Sequence, residues 1–392
     1  MGICVHKEQK LTEVRSKSEL RGTRDPTQRQ RLSVLSVTGE ESKKVLNVYA
    51  KQTRGFASGI TTKEEKDEQG TVLLLGHKLV IQGMHEPEQQ DGFEDKKTSM
   101  TGDTIGEDVL ARSGLAFICK KGLKPESPNQ DDFCVVLERA NILLGVFDGH
   151  GPCGHDVSNF IHALLPKLIL SNPDFEVCLS DVMKAAFLEA HEHLVAHCEH
   201  PETGFDCIIS GTTASLAVFR GKKLLVAHVG DSRVVLAKRR NDALVAVPIT
   251  TDHKPTLPAE KTRIEEHGGE VKQMPFDIPY RVFIKNKDFP GLAMSRTIGD
   301  SVAHGLGVSS EPQVTEIDVS EEDEFLLLCS DGVWEFITSE EAVELVGKHV
   351  QTHPKQAAEK LAQLAWTRWL KNEDEVVDDI TVIVAYIPKL LV

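Results

Sequence analysis

Aspartate residues recur beside apolar segments in the C-terminal part of this chain. In each case a glycine or another turn residue lies close by. The aspartates are Asp131, Asp148, Asp231, Asp331 and Asp378. Carboxylate oxygens are the ligands that hard cations such as Mg²⁺ and Mn²⁺ prefer. Carboxylates that share one cleft repel each other unless a cation neutralises them. The pattern therefore indicates divalent-metal chemistry, although an Asp-Gly pair by itself is also common in turns.

Apolar segments with strand or helix patterns surround these aspartates. Strands are predicted by β-branched and aromatic content over 115–119, 133–137, 142–147, 213–219, 224–229, 234–238, 243–249, 325–329 and 380–387. Helical periodicity covers 154–170, 181–198, 258–267, 339–350 and 355–370, and we expect Ser339 to be the N-cap of the helix that it begins. The successive short strands from 213 to 249 predict an antiparallel meander.

Composition narrows the function classes. The 392 residues include 45 Lys+Arg and 60 Asp+Glu, a formal net charge of −15, which excludes a generic nucleic-acid binder. No apolar run approaches the ~20 residues of a spanning helix, and no apolar signal segment opens the chain. The eight cysteines form no C-x-x-C pair. They are expected to be free thiols in a reducing compartment, and the expected location is cytoplasmic.

The N-terminal hundred residues differ from the remainder in composition. Residues 1–35 are basic, whereas 62–70 and 85–108 are polar and acidic, which favours loops or disorder. The apolar stretches 72–75 and 79–81 are predicted to form a hairpin. We therefore divide the chain into an N-terminal extension, 1–104, and a folded domain, 105–392.

The motifs and their order resemble those of the metal-dependent protein phosphatase 2C family, which acts on phosphoserine and phosphothreonine. The resemblance covers about residues 115 to 388 and rests on Asp148-Gly149-His150, 210–214, 230–233, 252–255, Glu260, Arg263-Ile264, 268–269, 292–300, 330–334 and 378–381. It implies an α+β fold in which two antiparallel β-sheets form a central sandwich flanked by helices. It also implies phosphoprotein substrates, and we expect a monomer.

The resemblance implies a metal role for each matching residue. Asp148 corresponds to a carboxylate that bridges two Mg²⁺ or Mn²⁺ ions, and the carbonyl of Gly149 to a ligand of the second ion. Asp331 and Asp378 correspond to ligands of the first ion, and Asp131 to an acid near the second, acting through water. A water activated by two such ions can attack phosphorus without a protein nucleophile.

Three further residues complete the implied site. Asp231 corresponds to the acid of a third, weaker metal site, where Glu335 stands in place of the aspartate that many members carry. His150 corresponds to a general acid that protonates the departing serine or threonine alkoxide.

Two departures from the family pattern bear on activity. Gln130 stands where many animal members have glutamate, and their phosphate-binding arginine has no clear counterpart here. Lys124 is the first candidate to replace that arginine and Lys121 the second. Lysine offers a point charge rather than a bidentate fork, so weaker substrate binding with retained turnover is expected.

These departures motivate an alternative hypothesis, a catalytically weak pseudophosphatase that serves as a phosphoprotein-binding module. We favour the active enzyme because the core metal positions and His150 are present. Residues 149–154 also spell the G-x-G-x-x-G of dinucleotide-binding proteins. Asp148 would repel a pyrophosphate there, and an antiparallel meander is foreign to that fold.

Two local patterns suggest other sites. His193 and His197 have the i, i+4 spacing of a zinc pair, but a solvated helix face is the favoured interpretation of this histidine-rich helix. Gly2 and Cys4 are candidate positions for myristoylation and palmitoylation, which would attach the chain peripherally to membranes. His6 replaces the usual Ser/Thr at position 6, and an unmodified tail is the alternative.

Overall fold

The computed structural model describes residues 78–85, 92–102, 110, 113–124, 128–138, 141–200 and 202–390. Its strands are β1 Lys78–Gly83, β2 Thr98–Gly102, β3 Leu115–Lys120, β4 Asp131–Glu138, β5 Asn141–His150, β6 Gly211–Thr212, β7 Ala214–Arg220, β8 Lys223–Val229, β9 Arg233–Arg240, β10 Ala243–Pro248, β11 Gly269–Gln273, β12 Tyr280–Ile284, β13 Pro290–Leu292, β14 Ile298–Gly299, β15 Gln313–Asp318, β16 Asp323–Cys329 and β17 Ile380–Tyr386. Its helices are α1 Gly154–Leu170, α2 Leu179–Glu199, α3 Pro258–Glu266, α4 Ser301–His304, α5 Asp331–Trp334, α6 Ser339–Gly347, α7 Pro354–Glu373 and α8 Ile387–Leu390.

The strands form two principal antiparallel sheets. The large sheet has the order β15-β8-β7-β5-β4-β1-β2, with β6 paired to both β5 and β14. The second sheet has the order β10-β9-β16-β17-β3, and β11, β12 and β13 form a small separate sheet. This arrangement confirms the predicted α+β sandwich. It also shows that the dinucleotide-binding interpretation of 149–154 is wrong, because that turn follows a strand of an antiparallel sheet.

The main core lies between the two sheets. Phe133 and Leu144 of the large sheet pack in one cluster with Leu236, Leu326 and Leu328 of the second, and all are at most 1% exposed. Burying each such side chain contributes about 1.5–3 kcal/mol. The inner faces of the sheets are therefore fixed against each other.

Helices cover the two outer faces of the sandwich. On the large sheet, Ile161 and Leu165 of α1 and Phe187 of α2 are fully buried. On the second sheet, Leu361 and Trp369 of α7 pack against the opposite strand face. Successive side chains of a strand point to opposite faces, so a central strand covered on both sides is apolar throughout, as in 325–329.

The predicted meander over 213–249 is divided between the two sheets. β7 and β8 pair in the large sheet, whereas β9 and β10 pair in the second. The chain crosses between the sheets at Gly230, whose φ of +94° is open to glycine and strained for other residues. The crossing leaves Asp231 at an edge of the sandwich, next to the second sheet.

The large sheet begins earlier in the chain than the division at residue 105 anticipates. β1 pairs with β4 on one side and with β2 on the other. Ile81 is fully buried in the inter-sheet core, so burial of apolar surface holds this strand in place. Residues 79–81 thus pair with β2, and residues 72–75, their predicted partner in a hairpin, lie outside the described part of the chain.

Two smaller features concern the helices. The N-cap of α6 is Thr338 rather than the predicted Ser339, because the Thr338 side chain accepts a hydrogen bond from the backbone N–H of Glu341 at 3.2 Å. Within the described ranges, no helix has both the length and the apolar character to cross a bilayer.

Candidate metal centre and its surroundings

Both sheets contribute carboxylates to one edge of the sandwich. Asp148 near the end of β5 lies opposite Asp131 at the start of β4. Asp331 follows β16 as the first residue of α5, and Asp378 lies just before β17. Carboxylate oxygens of Asp148, Asp231 and Asp331 all lie within 4.8 Å of one another. The antiparallel pairing of strands thus brings together aspartates that are far apart in sequence.

Some oxygens of these carboxylates lack a hydrogen-bond partner, and their negative charges are crowded together. Oδ2 of Asp148 and Oδ1 of Asp231 are buried and have no hydrogen-bond partner among the described residues. Burial raises the pKa of Asp148 well above its usual range, and the neighbouring Asp331 and Asp131 raise it further. Burial, followed by Asp378 and Asp231, likewise raises the pKa of Asp331. A site of clustered, unpaired oxygen donors fits divalent cations such as Mg²⁺ or Mn²⁺.

Asp131 is oriented by two hydroxyl groups from motifs 330–334 and 378–381, to which the sequence analysis assigned no role. Ser330 Oγ and Thr381 Oγ1 each donate to Asp131 Oδ2 at 2.7 Å. Burial, with the nearby Asp379 carboxylate, raises the pKa of Asp131 to about 7. The second sheet therefore holds the carboxylate that the large sheet supplies.

Asp379, next to the candidate ligand Asp378, holds the backbone at Gly122, after β3, and at Gln130, before β4. Its Oδ1 accepts from the backbone N–H of Gly122 at 2.7 Å, and its Oδ2 from that of Gln130 at 2.9 Å. Burial opposes its ionisation, but Lys124 and Lys121 outweigh this and lower the pKa of Asp379. This carboxylate is therefore a structural anchor in its ionised form.

The two candidate phosphate-binding lysines occupy different environments. Lys124 is partly buried, and its ammonium forms an ion pair with Oδ1 of Asp378 at the edge of the carboxylate cluster. Lys121 is only 1% exposed, donates to the carbonyl of Lys124 at 3.0 Å and lies 3.5 Å from Asp379. Burial lowers the pKa of Lys121. Lys121 thus supports the chain after β3 from inside, whereas Lys124 lies beside the candidate metal ligands.

His150 forms a buried pair with an aspartate that is distant in the sequence. Its Nε2 lies 2.7 Å from Oδ2 of Asp300, and both side chains are 4% exposed. Asp300 adopts a left-handed backbone, with φ of +47°, at the N-terminus of α4. A Cβ at Gly211 would lie 2.1 Å from Asp300 Oδ2, so this close approach needs a glycine there. These contacts give a physical reason for motifs 210–214 and 292–300.

The side-chain amide of Gln130 donates a hydrogen bond that an ionised carboxylate could not donate. Its side-chain nitrogen donates to the carbonyl of Gly151 at 2.8 Å, and the backbone carbonyl of Gln130 accepts from the backbone N–H of Gly149 at 3.0 Å. A glutamate at this position could not make the first of these bonds when ionised. Gln130 therefore braces the turn that carries Gly149 and His150.

A cleft of about 270 Å³ opens beside the carboxylate cluster. Among the residues that line it are Asp231, Lys254, Tyr280, Asp331 and Glu335. Lys254 Nζ lies 2.5 Å from Asp231 Oδ2, so the lysine ammonium already neutralises part of the negative charge at the predicted third metal site. The exposed Glu335 lines the same cleft.

Comparisons with known proteins show the family of this chain. Residues 127–373 match the family model described as Protein phosphatase 2C. The chain belongs to the protein phosphatase 2C family. Membership makes it a metal-dependent protein serine/threonine phosphatase with phosphoprotein substrates, and the family depends on Mg²⁺ or Mn²⁺.

Two plant proteins illustrate the sequence similarity. The chain is 31% identical over 301 residues to "Probable protein phosphatase 2C 35" of Arabidopsis thaliana, an alignment that covers 70% of this chain and 84% of that protein. It is 32% identical over 339 residues to "Probable protein phosphatase 2C 73" of Oryza sativa subsp. japonica, covering 76% of this chain and 77% of that protein.

A solved structure illustrates the similarity of fold. The serine-threonine phosphatase 2C from Toxoplasma gondii superimposes with a TM-score of 0.62 and 22% sequence identity. The superposition covers 77% of this chain and 98% of that one. At this identity the likeness concerns the fold alone.

The histidine-rich helix α2 does not assemble the zinc pair that its spacing allows. His193 lies 3.4 Å from Glu189, whereas the ring of His197 stacks on Phe160. The interpretation as a solvated face is also wrong at His191, whose ring stacks on His304 at 3.9 Å. His191 Nδ1 accepts a hydrogen bond from the backbone N–H of Gly299, so this residue joins α2 to the loop of Asp300. Gly2 and Cys4 lie outside the described residues.

The clustered carboxylates predict how stability depends on pH when cations are removed. Because the pKa of Asp131 is about 7 in the folded chain and that of Asp148 is also raised, the folded state holds protons that the unfolded state releases above about pH 4. In EDTA the contribution of these carboxyls to the free energy of unfolding should fall as the pH rises from about 4 to about 7, whereas buried histidines such as His253 and His304, whose pKa values burial lowers, contribute in the opposite direction. The fall is up to about 1.4 kcal/mol per pH unit for each such carboxyl.

Relative to wild type, Asp148→Asn should gain free energy of unfolding as the pH rises from about 4 to about 7, since it removes one carboxyl whose pKa is raised. Urea unfolding followed by tryptophan fluorescence across that pH range measures the effect. Asp318→Asn, on an exposed strand residue, is the matched control. Equal slopes in wild type and Asp148→Asn would contradict the electrostatic account.

Proposed function

We propose that the enzyme hydrolyses phosphoserine and phosphothreonine with two cations, Mg²⁺ or Mn²⁺, bridged by Asp148. Asp331 and Asp378 would complete the first site, and the Gly149 carbonyl the second, with Asp131 acting on the second through water. The observation that supports this most directly is the buried, unpartnered Oδ2 of Asp148 among carboxylates from both sheets. When bound, two cations supply a water of lowered pKa as nucleophile and neutralise the phosphoryl oxygens.

The chain's contribution to this chemistry is a rigid set of donors. The backbone N–H of Asp148 donates to Thr213 Oγ1 at 3.0 Å, and the N–H of Thr213 donates to the carbonyl of Asp148 at 2.9 Å. Thr213 Oγ1 also lies 2.7 Å from Ser232 Oγ, beside Asp231. Thr213 thus ties the predicted bridging carboxylate to the crossing between the sheets, which holds the ligands in place before cations bind.

A third, weaker cation site is part of the proposal. Asp231 and Glu335 line the cleft beside Asp331, and one carboxylate oxygen of Asp231 lacks a hydrogen-bond partner among the described residues. Lys254 already pairs with the other oxygen, so the net charge available to a third cation is small. This competition explains why occupancy there would be the weakest of the three.

His150 would protonate the departing alkoxide. Asp300 accepts from Nε2 of the imidazole and would stabilise its protonated form. Nδ1 of His150 is buried and has no hydrogen-bond partner among the described residues, so it is the nitrogen that remains to exchange a proton with the leaving group. Asp300 is then a positioning residue for His150.

The first test is hydrolysis of a phosphothreonine peptide in EDTA, Mg²⁺ or Mn²⁺. Wild type and the control Asp318→Asn should be active only with a cation, and Asp148→Ala should be inactive in all three conditions, because it loses the bridging ligand. Wild-type hydrolysis in EDTA would contradict the proposal. A wild type that is inert in Mn²⁺ yet binds the phosphopeptide would instead support the binding-module hypothesis.

The role of His150 is tested by comparing leaving groups. On a phosphothreonine peptide, His150→Gln and Asp300→Asn should each lower kcat, by about 10²-fold or more for His150→Gln. On p-nitrophenyl phosphate the loss should be much smaller, because nitrophenolate departs without a proton. His193→Gln is the control for loss of an imidazole. Equal losses on both substrates would show that His150 acts in another way.

Lys124 is the residue that we propose to contact the substrate phosphate, while it also pairs with Asp378. Lys124→Ala should raise KM for a phosphopeptide with a smaller effect on kcat, whereas Lys124→Arg should keep or lower KM because its fork can bind phosphate bidentately. Initial rates over a range of peptide concentrations at saturating Mn²⁺ give both constants. An unchanged KM in Lys124→Ala would disprove the assignment.

We also propose that Gly2 and Cys4 are acylated and attach an otherwise cytoplasmic enzyme to membranes. Two acyl chains, or one together with the basic segment 1–35, would give stable attachment, whereas a single chain binds only marginally. In fractionated cells, Gly2→Ala should move the full chain from the membrane to the soluble fraction. Retention of Gly2→Ala on membranes would disprove the acyl anchor.

A further inference from the structure

A second group of potential metal ligands lies apart from the carboxylate cluster. His85 follows the end of β1, whereas His155 and Asp156 belong to the first turn of α1. Nε2 of His85 lies 2.9 Å from Asp156 Oδ1, and Nε2 of His155 lies 3.2 Å from Asp156 Oδ2. One ligand atom from each of the three side chains lies within 4.8 Å of the other two.

The backbone holds these three side chains together. The N–H of Met84 donates to the carbonyl of Lys97 at 2.9 Å, which fixes the chain just before His85. The rings of His85 and His155 are stacked, with centroids 5.6 Å apart and planes 25° apart. Asp156 places one oxygen toward each ring, so its carboxylate is the centre of the group.

The group is also incomplete as a set of hydrogen bonds. Nδ1 of His155 is buried and has no hydrogen-bond partner among the described residues. Buried polar atoms nearly always have a partner. Asp156 contacts the opposite nitrogen, Nε2, so Nδ1 of this ring remains available to a ligand.

We propose that His85, His155 and Asp156 bind a divalent transition-metal ion of the zinc class. Two imidazoles with one carboxylate form a donor set that suits Zn²⁺ and its neighbours, whereas Mg²⁺ and Ca²⁺ prefer oxygen donors. The remaining position of a tetrahedral ion would be open to water, because His85 is exposed. The cation preference therefore differs from that of the oxygen-rich centre at Asp148.

The site joins a segment outside the family match to a segment inside it. His85 lies before the region that matches the family model, residues 127–373, whereas His155 and Asp156 lie inside it. α1 begins directly after the turn that carries His150. A bound ion would therefore link the N-terminal strand β1 to the helix that supports the active-site turn.

The test is a Zn²⁺ titration of the full chain by isothermal calorimetry. Zn²⁺ also has affinity for carboxylates, so the informative quantity is the difference between variants. Wild type should bind one equivalent of Zn²⁺ more than His85→Ala. Asp148→Ala should likewise bind one equivalent more than the double variant that combines Asp148→Ala with His85→Ala. His193→Ala, which removes an imidazole elsewhere on the surface, should match wild type.

His155→Gln should weaken the binding of this additional Zn²⁺ ion by more than about 10–100-fold. That range is the usual effect of losing a residue that only hydrogen-bonds to a metal ligand. Hydrogen exchange provides an independent measure, since Zn²⁺ should slow exchange in residues 78–85 of wild type but not of His85→Ala. Equal stoichiometry in wild type and His85→Ala would show that the three side chains form only a hydrogen-bonded cluster. A difference that disappears in the Asp148→Ala background would also overturn the proposal.

Discussion

Repulsion among buried carboxylates is the constraint on which this structure depends. Asp148, Asp231 and Asp331 bring oxygens within 4.8 Å of one another in a partly desolvated edge of the sandwich. Without a cation the fold opposes their full ionisation, as the raised pKa values of Asp148 and Asp331 show. In the proposed function, the same crowding would become a binding site for cations, because each carboxylate is already in place.

The remainder of the fold supplies the rigidity that keeps such charges together. The inter-sheet core fixes β5 against β16 and β17, so Asp148 cannot move away from Asp331 and Asp378 without disturbing packed side chains. Hydroxyl groups of Ser330 and Thr381, from the second sheet, hold Asp131 of the large sheet. Stability that comes from apolar burial therefore offsets an electrostatic cost at the site.

Local sequence patterns indicated which aspartates to expect at one site but not the residues that hold them. Asp148 and Asp331 each follow an apolar strand and precede a glycine, which is a signal within a few residues. Asp300 could not be paired with His150 in the same way, because 150 residues separate them and only the fold brings them together. The pairing of strands that are far apart in the chain cannot be predicted from a short segment of sequence.

The same reasoning explains the differences in the fold. The strands from 213 to 249 were correctly placed, but the sheet change at Gly230 depends on which face each strand buries, and that is a tertiary property. β1 lies among polar segments whose composition indicates disorder, yet Leu79 and Ile81 fill a gap in the inter-sheet core. In both cases the structure is decided by packing against residues that are distant in sequence, and local composition does not show this packing.

The central claim is that carboxylates from both sheets hold two cations, and a count of bound Mn²⁺ tests it most directly. Equilibrium dialysis of the full chain should give two tight equivalents, with a third and weaker one that depends on Asp231. Asp148→Ala should lose the two tight equivalents together, because one carboxylate bridges both positions. Retention of two tight equivalents by Asp148→Ala would contradict the account.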